Sequence, residues 1–223
     1  ETAGKAAAGE AKKDKTLEEI TLEMLEQLGA SVRPARNVPN VEALSWVLEQ
    51  LRSSNPPSTL DMEWFSMGDP QATELAAALK ANSSVTELKL RYNEIRDDGA
   101  VALAGALESH ESLETLTLGN NMIANRGAEA LAKAIASKGK VSTLDLRYNS
   151  MGPTLPEAFC ELKSLTLLDI RANRLESLPA KLGELTQLKT LVIERNHDLA
   201  PASLNSASPT DELLKALRAQ ETG

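Results

Sequence analysis

Two histidines and one cysteine are the residues in this chain most suited to acid–base, nucleophilic or metal chemistry. His110 and His197 stand far apart, and neither has a second His or Cys at metal-ligand spacing. His110 follows a segment of helical period and His197 follows an asparagine in a turn, so both are expected in exposed loops. Cys160 lies in AFCELKSL with no histidine placed to generate its thiolate, which predicts a buried structural thiol. There is no phosphate-binding loop, dinucleotide fingerprint or nucleophile elbow. Asp97-Asp98-Gly99 reads as a turn entering a helix rather than a cation site. These readings predict a non-enzyme with no cofactor, no metal and no small-molecule substrate.

Composition narrows the class further. The 223 residues are 42% apolar and 25% charged, ordinary for a globular protein, but only 3% aromatic. Leu, Ala and Val must therefore build the interior, as in a stack of small repeated layers. A net charge of −8 argues against non-specific nucleic-acid binding, which needs a basic footprint. No stretch approaches the roughly 20 apolar residues of a membrane span. A single cysteine allows no intramolecular disulfide and points to a reducing compartment. The chain opens on Glu1, as a fragment or processed chain would, and residues 1–15 have no apolar signal core. An intracellular, cytoplasmic protein is expected, and an organellar one with its presequence removed is compatible.

The organisation comes from internal repetition. Apolar pairs separated by one residue recur as Leu88/Leu90, Leu116/Leu118, Leu144/Leu146, Leu168/Ile170 and Leu191/Ile193. Five residues after each pair begins stands an asparagine: Asn93, Asn121, Asn149, Asn173 and Asn196. Leu60/Met62 keeps the phase with Phe65 in the asparagine slot, and the steps from Leu60 are 28, 28, 28, 24 and 23 residues.

The segments VTELKLRYNEI, LETLTLGNNMI, VSTLDLRYNSM and LTLLDIRANRL resemble the leucine-rich-repeat consensus over roughly Thr59 to Leu199. The resemblance implies an α/β solenoid, with a curved parallel sheet on the concave face, helices on the convex face and helical caps. Its leucines would point inward from short strands, and its asparagines would turn inward to satisfy backbone groups in the bend. The 28-residue units carry helical periods over Gln71–Ala81, Asp98–Ser109 and Arg126–Ser137, and resemble the ribonuclease-inhibitor type. Residues 69–90 are similar to the tropomodulin C-terminal domain. LPEAFCELKSL and LPAKLGELTQL instead resemble shorter intracellular repeats, in which a tighter convex segment replaces the helix. That change predicts a bend between Asn149 and Asn173 within one domain.

The expected divisions are a tail over 1–15, an N-terminal cap or degenerate repeat over 16–56, about six repeats over 57–200 and a capping helix over 201–223. Thr16-Leu17-Glu18-Glu19 has capping-box spacing ahead of a helix that Gly29 can close. Stepping back 28 residues from Leu60 and Phe65 reaches Val32 and Asn37, so SVRPARN reads either as a degenerate repeat, with Asn40–Ser53 as its helix, or as part of a non-repeat cap. Ser208-Pro209 begins a final helix running to about Ala219.

Strand alternation then gives the concave face. Between the leucines stand Asp61, Lys89, Thr117, Asp145, Asp169 and Val192. The next column reads Glu63, Arg91, Gly119, Arg147, Arg171 and Glu194, and the one after it Trp64, Tyr92, Asn120, Tyr148, Ala172 and Arg195. Trp, Tyr and Arg are over-represented at binding hot spots. The expected partner-binding residues are therefore Trp64, Lys89, Arg91, Tyr92, Asp145, Arg147, Tyr148, Asp169 and Arg171, with Asn93, Asn121, Asn149, Asn173 and Asn196 structural. A competing reading makes the charges an internal salt-bridge lattice. The expected function is a protein-binding scaffold, adaptor or complex subunit. An actin-capping regulator like tropomodulin and a small-GTPase activator are the alternatives.

Overall fold

The computed structural model describes residues 31–32, 40–196, 199 and 209–221. The capping box at Thr16, Asn37, His197 and the Ser208 cap lie outside them. Seven short strands form one parallel sheet in chain order: β1 (Ser31–Val32), β2 (Thr59–Asp61), β3 (Glu87–Lys89), β4 (Thr115–Thr117), β5 (Thr143–Asp145), β6 (Leu167–Asp169) and β7 (Thr190–Val192). Leu60, Leu88, Leu116, Leu144, Leu168 and Leu191 pair side by side across it, so the sheet register is the sequence repeat. Val32 pairs with Leu60, which puts a strand 28 residues ahead of β2. Helix α1 (Asn40–Leu51) follows that strand, as a repeat unit requires.

The convex layer has two textures. Helices α2 (Asp69–Leu79), α3 (Asp97–Leu107) and α4 (Asn125–Lys138) cover the 28-residue units. Two 3-10 helices, Glu157–Glu161 and Ala180–Glu184, cover the shorter ones. Helix α5 (Thr210–Glu221) then packs on the second 3-10 helix and closes that end. Leu213, Leu214 and Leu217 are its buried residues. Between the layers lies one continuous apolar core in which Leu and Ala predominate.

Two polar ladders lock neighbouring units. The Asn93 amide oxygen accepts hydrogen bonds from the backbone of Phe65 and Met67, one unit back, while its amide nitrogen donates to the carbonyls of Met62 and Leu90. Asn121, Asn149, Asn173 and Asn196 repeat this bridge to the preceding unit. Each buried amide thus satisfies backbone groups that the bend removes from the sheet. The second ladder runs the other way. The residues at the N-caps of α3 and α4, Arg96 and Ala124, make no side-chain cap. Asp69, from the unit before, accepts hydrogen bonds from the backbone of Arg96 and Gly99 at 2.8 and 2.9 Å. Asp97 does the same for Ala124 and Gly127 at 2.8 and 3.0 Å. A carboxylate at a helix N-terminus fills its open N–H donors and complements its dipole.

His110 corrects the expectation of an exposed loop. It is 4% exposed, and neither ring nitrogen has a hydrogen-bond partner among the described residues. Burial holds its imidazole below the ordinary histidine pKa. Twenty-eight residues earlier the same position is Asn82, whose side chain donates to the Leu51 carbonyl and accepts from the backbone of Ser84 and Val85. Asparagine fills this slot with hydrogen bonds, whereas the histidine there leaves both ring nitrogens without a partner among the described residues.

Candidate binding face

The concave face splits into a charged floor and an aromatic rim. On the floor, Asp145 and Asp169 are 3% and 5% exposed. The outward direction of their strand positions led to an expectation of accessible carboxylates, which the structure corrects: arginine side chains lie over them. Asp145 Oδ2 is 2.8 Å from Arg91 Nε and 3.5 Å from Arg147 Nε. Asp169 Oδ2 is 2.9 Å from an Arg171 nitrogen and 3.9 Å from one of Arg147. Each aspartate also accepts a hydrogen bond from the backbone two residues on, Arg147 for Asp145 and Arg171 for Asp169. Burial raises the Asp169 pKa, opposed by the Arg171 backbone N–H and reinforced by the Asp145 charge. The three arginines are thus shared among internal carboxylates, while each side chain stays partly exposed. Lys89 is likewise engaged, 3.2 Å from Glu87.

Gly119 makes this packing possible. A Cβ there would sit 2.9 Å from Arg147 Cγ and 3.1 Å from Asp145 Oδ1. With no side chain in the way, Arg91 crosses a whole unit to reach Asp145.

The rim is the third column, and its backbone is not strand. Trp64, Tyr92, Asn120, Tyr148, Ala172 and Arg195 have φ of 66°, 57°, 57°, 52°, 53° and 59°. The left-handed conformation, which costs a non-glycine residue roughly 1–2 kcal/mol, turns the chain out of the sheet and swings these side chains to its edge. Trp64 and Tyr92 stack with ring centroids 3.7 Å apart and planes 7° from parallel. Trp64 remains 59% exposed and Tyr148 39% exposed. Farther along, Arg195 reaches across Ala172 to donate a hydrogen bond to the Tyr148 hydroxyl, its guanidinium 5.8 Å from the ring centre. The structure thus gathers Trp64 with Tyr92, and Tyr148 with Arg195. Arg195 lay in the rim column of the sequence but was not singled out as a binding residue. Only the small side chain of Ala172 between the two hints at the contact.

Cys160 is buried, its thiol pushed up to about 12 by burial and then by Glu157. Among the described residues no three His, Cys, Asp or Glu side chains group as metal ligands, and no helix is long and apolar enough to cross a membrane.

The sequence profile described as leucine-rich repeat matches residues 81–104 and 109–132, which hold β3, β4 and parts of α3 and α4. Two of its units thus match leucine-rich repeats, and the described residues have the fold of a leucine-rich-repeat solenoid. Among solved structures, leiomodin-1 actin-binding site 2 aligns with 85% of this repeat chain and 94% of its own length, at 17% identity and a TM-score of 0.51. The ectodomain of the Arabidopsis receptor kinase HAESA, in complex with an N-terminally extended IDA peptide hormone, aligns over 60% of this chain and 25% of its own, at 19% identity and a TM-score of 0.44. No curated protein sequence matches. At such identities the likeness is one of fold.

Proposed function

We propose that this leucine-rich-repeat protein is a non-catalytic scaffold, adaptor or subunit of a larger assembly, and that it takes a protein partner on its concave face with the aromatic rim as anchor. Trp64 is the observation that carries the reading. A tryptophan 59% exposed, backed by a parallel tyrosine, offers a large rigid surface at little entropic cost. Tyr148 and Arg195 give a second anchor of the same chemistry three to five strands away, on the order of 14–24 Å at sheet spacing. Between them the arginine floor is close to charge-balanced, so Lys89, Arg91, Arg147 and Arg171 would contribute their outer atoms to specificity while Asp145 and Asp169 hold them in place.

The test is affinity capture from native extract, comparing wild type with the Trp64→Ala/Tyr92→Ala/Tyr148→Ala variant at matched circular dichroism. A partner retained by wild type alone supports the concave rim. Equal retention by both removes it.

A narrower reading makes that partner actin. Its support is the alignment along nearly the whole of a leiomodin-1 fragment described as an actin-binding site, together with the tropomodulin-like early repeats. Unchanged actin elongation at both filament ends in the presence of the chain would sink this reading and leave the broader one standing.

A further inference from the structure

The convex layer steps down where the repeat shortens. From β5 to β6 the unit is 24 residues rather than 28, a loss of about one helical turn, and a 3-10 helix stands where an α-helix stood before. The following unit keeps that low profile. The full α-helical height returns only with α5, which sits on the far side of the second 3-10 helix. A Cβ on Gly183 would lie 2.7 Å from the Leu214 carbonyl oxygen, and Arg218 donates a hydrogen bond to the Gly183 carbonyl at 2.5 Å.

The step leaves an open trough of about 700 Å³ between the flank of α4 and the two 3-10 helices. Its apolar lining includes the small side chains Ala136, Ala158 and Ala180. Five charges edge it. Glu129 and Lys133 pair with each other at 2.6 Å, while Glu157, Glu161 and Lys181 have no ion-pair partner among the described residues. An open trough lined by alanines suits a rod with a small-residue face, and an α-helix is such a rod, about 10–12 Å across with its side chains. Glu157 and Glu161 sit together on the first 3-10 helix, on a chain of net charge −8, and among the described residues the one hydrogen bond to either carboxylate is from the Cys160 thiol to Glu157.

We infer that this trough is a second docking surface, separate from the concave rim, and that it takes an amphipathic helix of a partner, small apolar residues against the alanines and lysine or arginine beside Glu157 and Glu161. The partner's helix fills the height lost at the shortened units, and its basic face lies beside Glu157 and Glu161, which have no ion-pair partner among the described residues.

The probe is a fluorescein-labelled helical peptide of about 16 residues, alanine and leucine on one face and lysine on the other, titrated into the full chain and followed by anisotropy. A twin peptide carries glutamate for lysine. Glu157→Lys/Glu161→Lys removes the proposed pairing, and Glu74→Lys/Glu108→Lys makes the same charge change on exposed positions at α2 and α3. Saturable binding of the lysine peptide is expected, weakened about tenfold or more by the trough variant and less than about threefold by the control variant. The Trp64→Ala/Tyr92→Ala/Tyr148→Ala chain should bind as wild type does, which separates this surface from the rim. Four results overturn the proposal: no saturable binding of the lysine peptide, equal binding of the glutamate twin, equal weakening by the two charge variants, or loss on substitution of the rim.

Discussion

Arg91 and Asp145 belong to units two apart, yet Arg91 Nε lies 2.8 Å from Asp145 Oδ2, because the outward position between them is Gly119. Three strands are stitched by one side chain crossing over a residue that has none. The concave floor is thereby fixed by a contact that skips its nearest neighbour.

That crossing gives the first prediction. Gly119→Val adds a Cβ 2.9 Å from Arg147 Cγ and 3.1 Å from Asp145 Oδ1, with two methyl groups beyond it. Arg147 must move and the path of Arg91 closes, leaving a buried carboxylate short of donors. A loss of about 1–3 kcal/mol is expected in urea unfolding. An unchanged midpoint would mean that the arginines can reach Asp145 by another route.

The helix glycines give a paired prediction of opposite sign. A Cβ on Gly99 would meet Asp69 Oδ1 at 2.7 Å, and one on Gly127 would meet Asp97 Oδ1 at 2.7 Å and Ala100 Cβ at 2.8 Å. Gly99→Ala and Gly127→Ala should each push out the carboxylate that caps their helix from the preceding unit, at a cost of about 1–2 kcal/mol. Gly105, inside α3, has nothing within 4 Å of its Cβ position, so Gly105→Ala should stabilise by roughly 0.5–1 kcal/mol. Thermal melts of the three variants decide it, and the same sign for all three would refute the inter-unit cap.

His110 carries the pH dependence. Its folded pKa lies below the ordinary histidine value of 6.5 because burial opposes the charged ring. The unfolded chain therefore takes up a proton that the folded one resists. Stability is full above the unfolded value and falls as pH drops through 6.5 toward the folded pKa. Asn82 shows what the position prefers, so His110→Asn should raise stability at neutral pH by about 1 kcal/mol and flatten its decline below pH 6.5. Parallel unfolding curves for the two proteins across that range would show that His110 is not the group responsible.

The fold was legible in the sequence because a solenoid writes its geometry as period. The spacing of Leu60, Leu88, Leu116, Leu144, Leu168 and Leu191 reappears residue for residue as the pairing of the strands. The asparagines were legible for the same reason. What escaped was whatever depends on the third dimension between units. His110 read as a loop residue because it follows a helix, and only comparison with Asn82 one unit earlier shows that the slot is internal. Asp145 and Asp169 point outward as alternation requires, but alternation says nothing about arginines folding over them. Asp97 read as part of a local turn and helix start, whereas its side chain, like that of Asp69, serves the next unit. The rim residues were read as strand, although the left-handed turn that aims them follows the same repeat grammar.

The two polar ladders run in opposite senses, and only one continues through the shortened units. From Asn93 to Asn196, asparagines bind a unit to the one behind it. The forward helix caps of Asp69 and Asp97 give way to Asn125, which holds Gly152 and Thr154, where no further α-helix begins. From there the forward ties are of another kind: Thr154 and Ser177 bridge the two shortened units through backbone and hydroxyl contacts. The solenoid therefore changes its joinery part-way along: side-chain caps tie its α-helical units forward, and paired backbone ties the shortened ones, in the same stretch where the convex side thins.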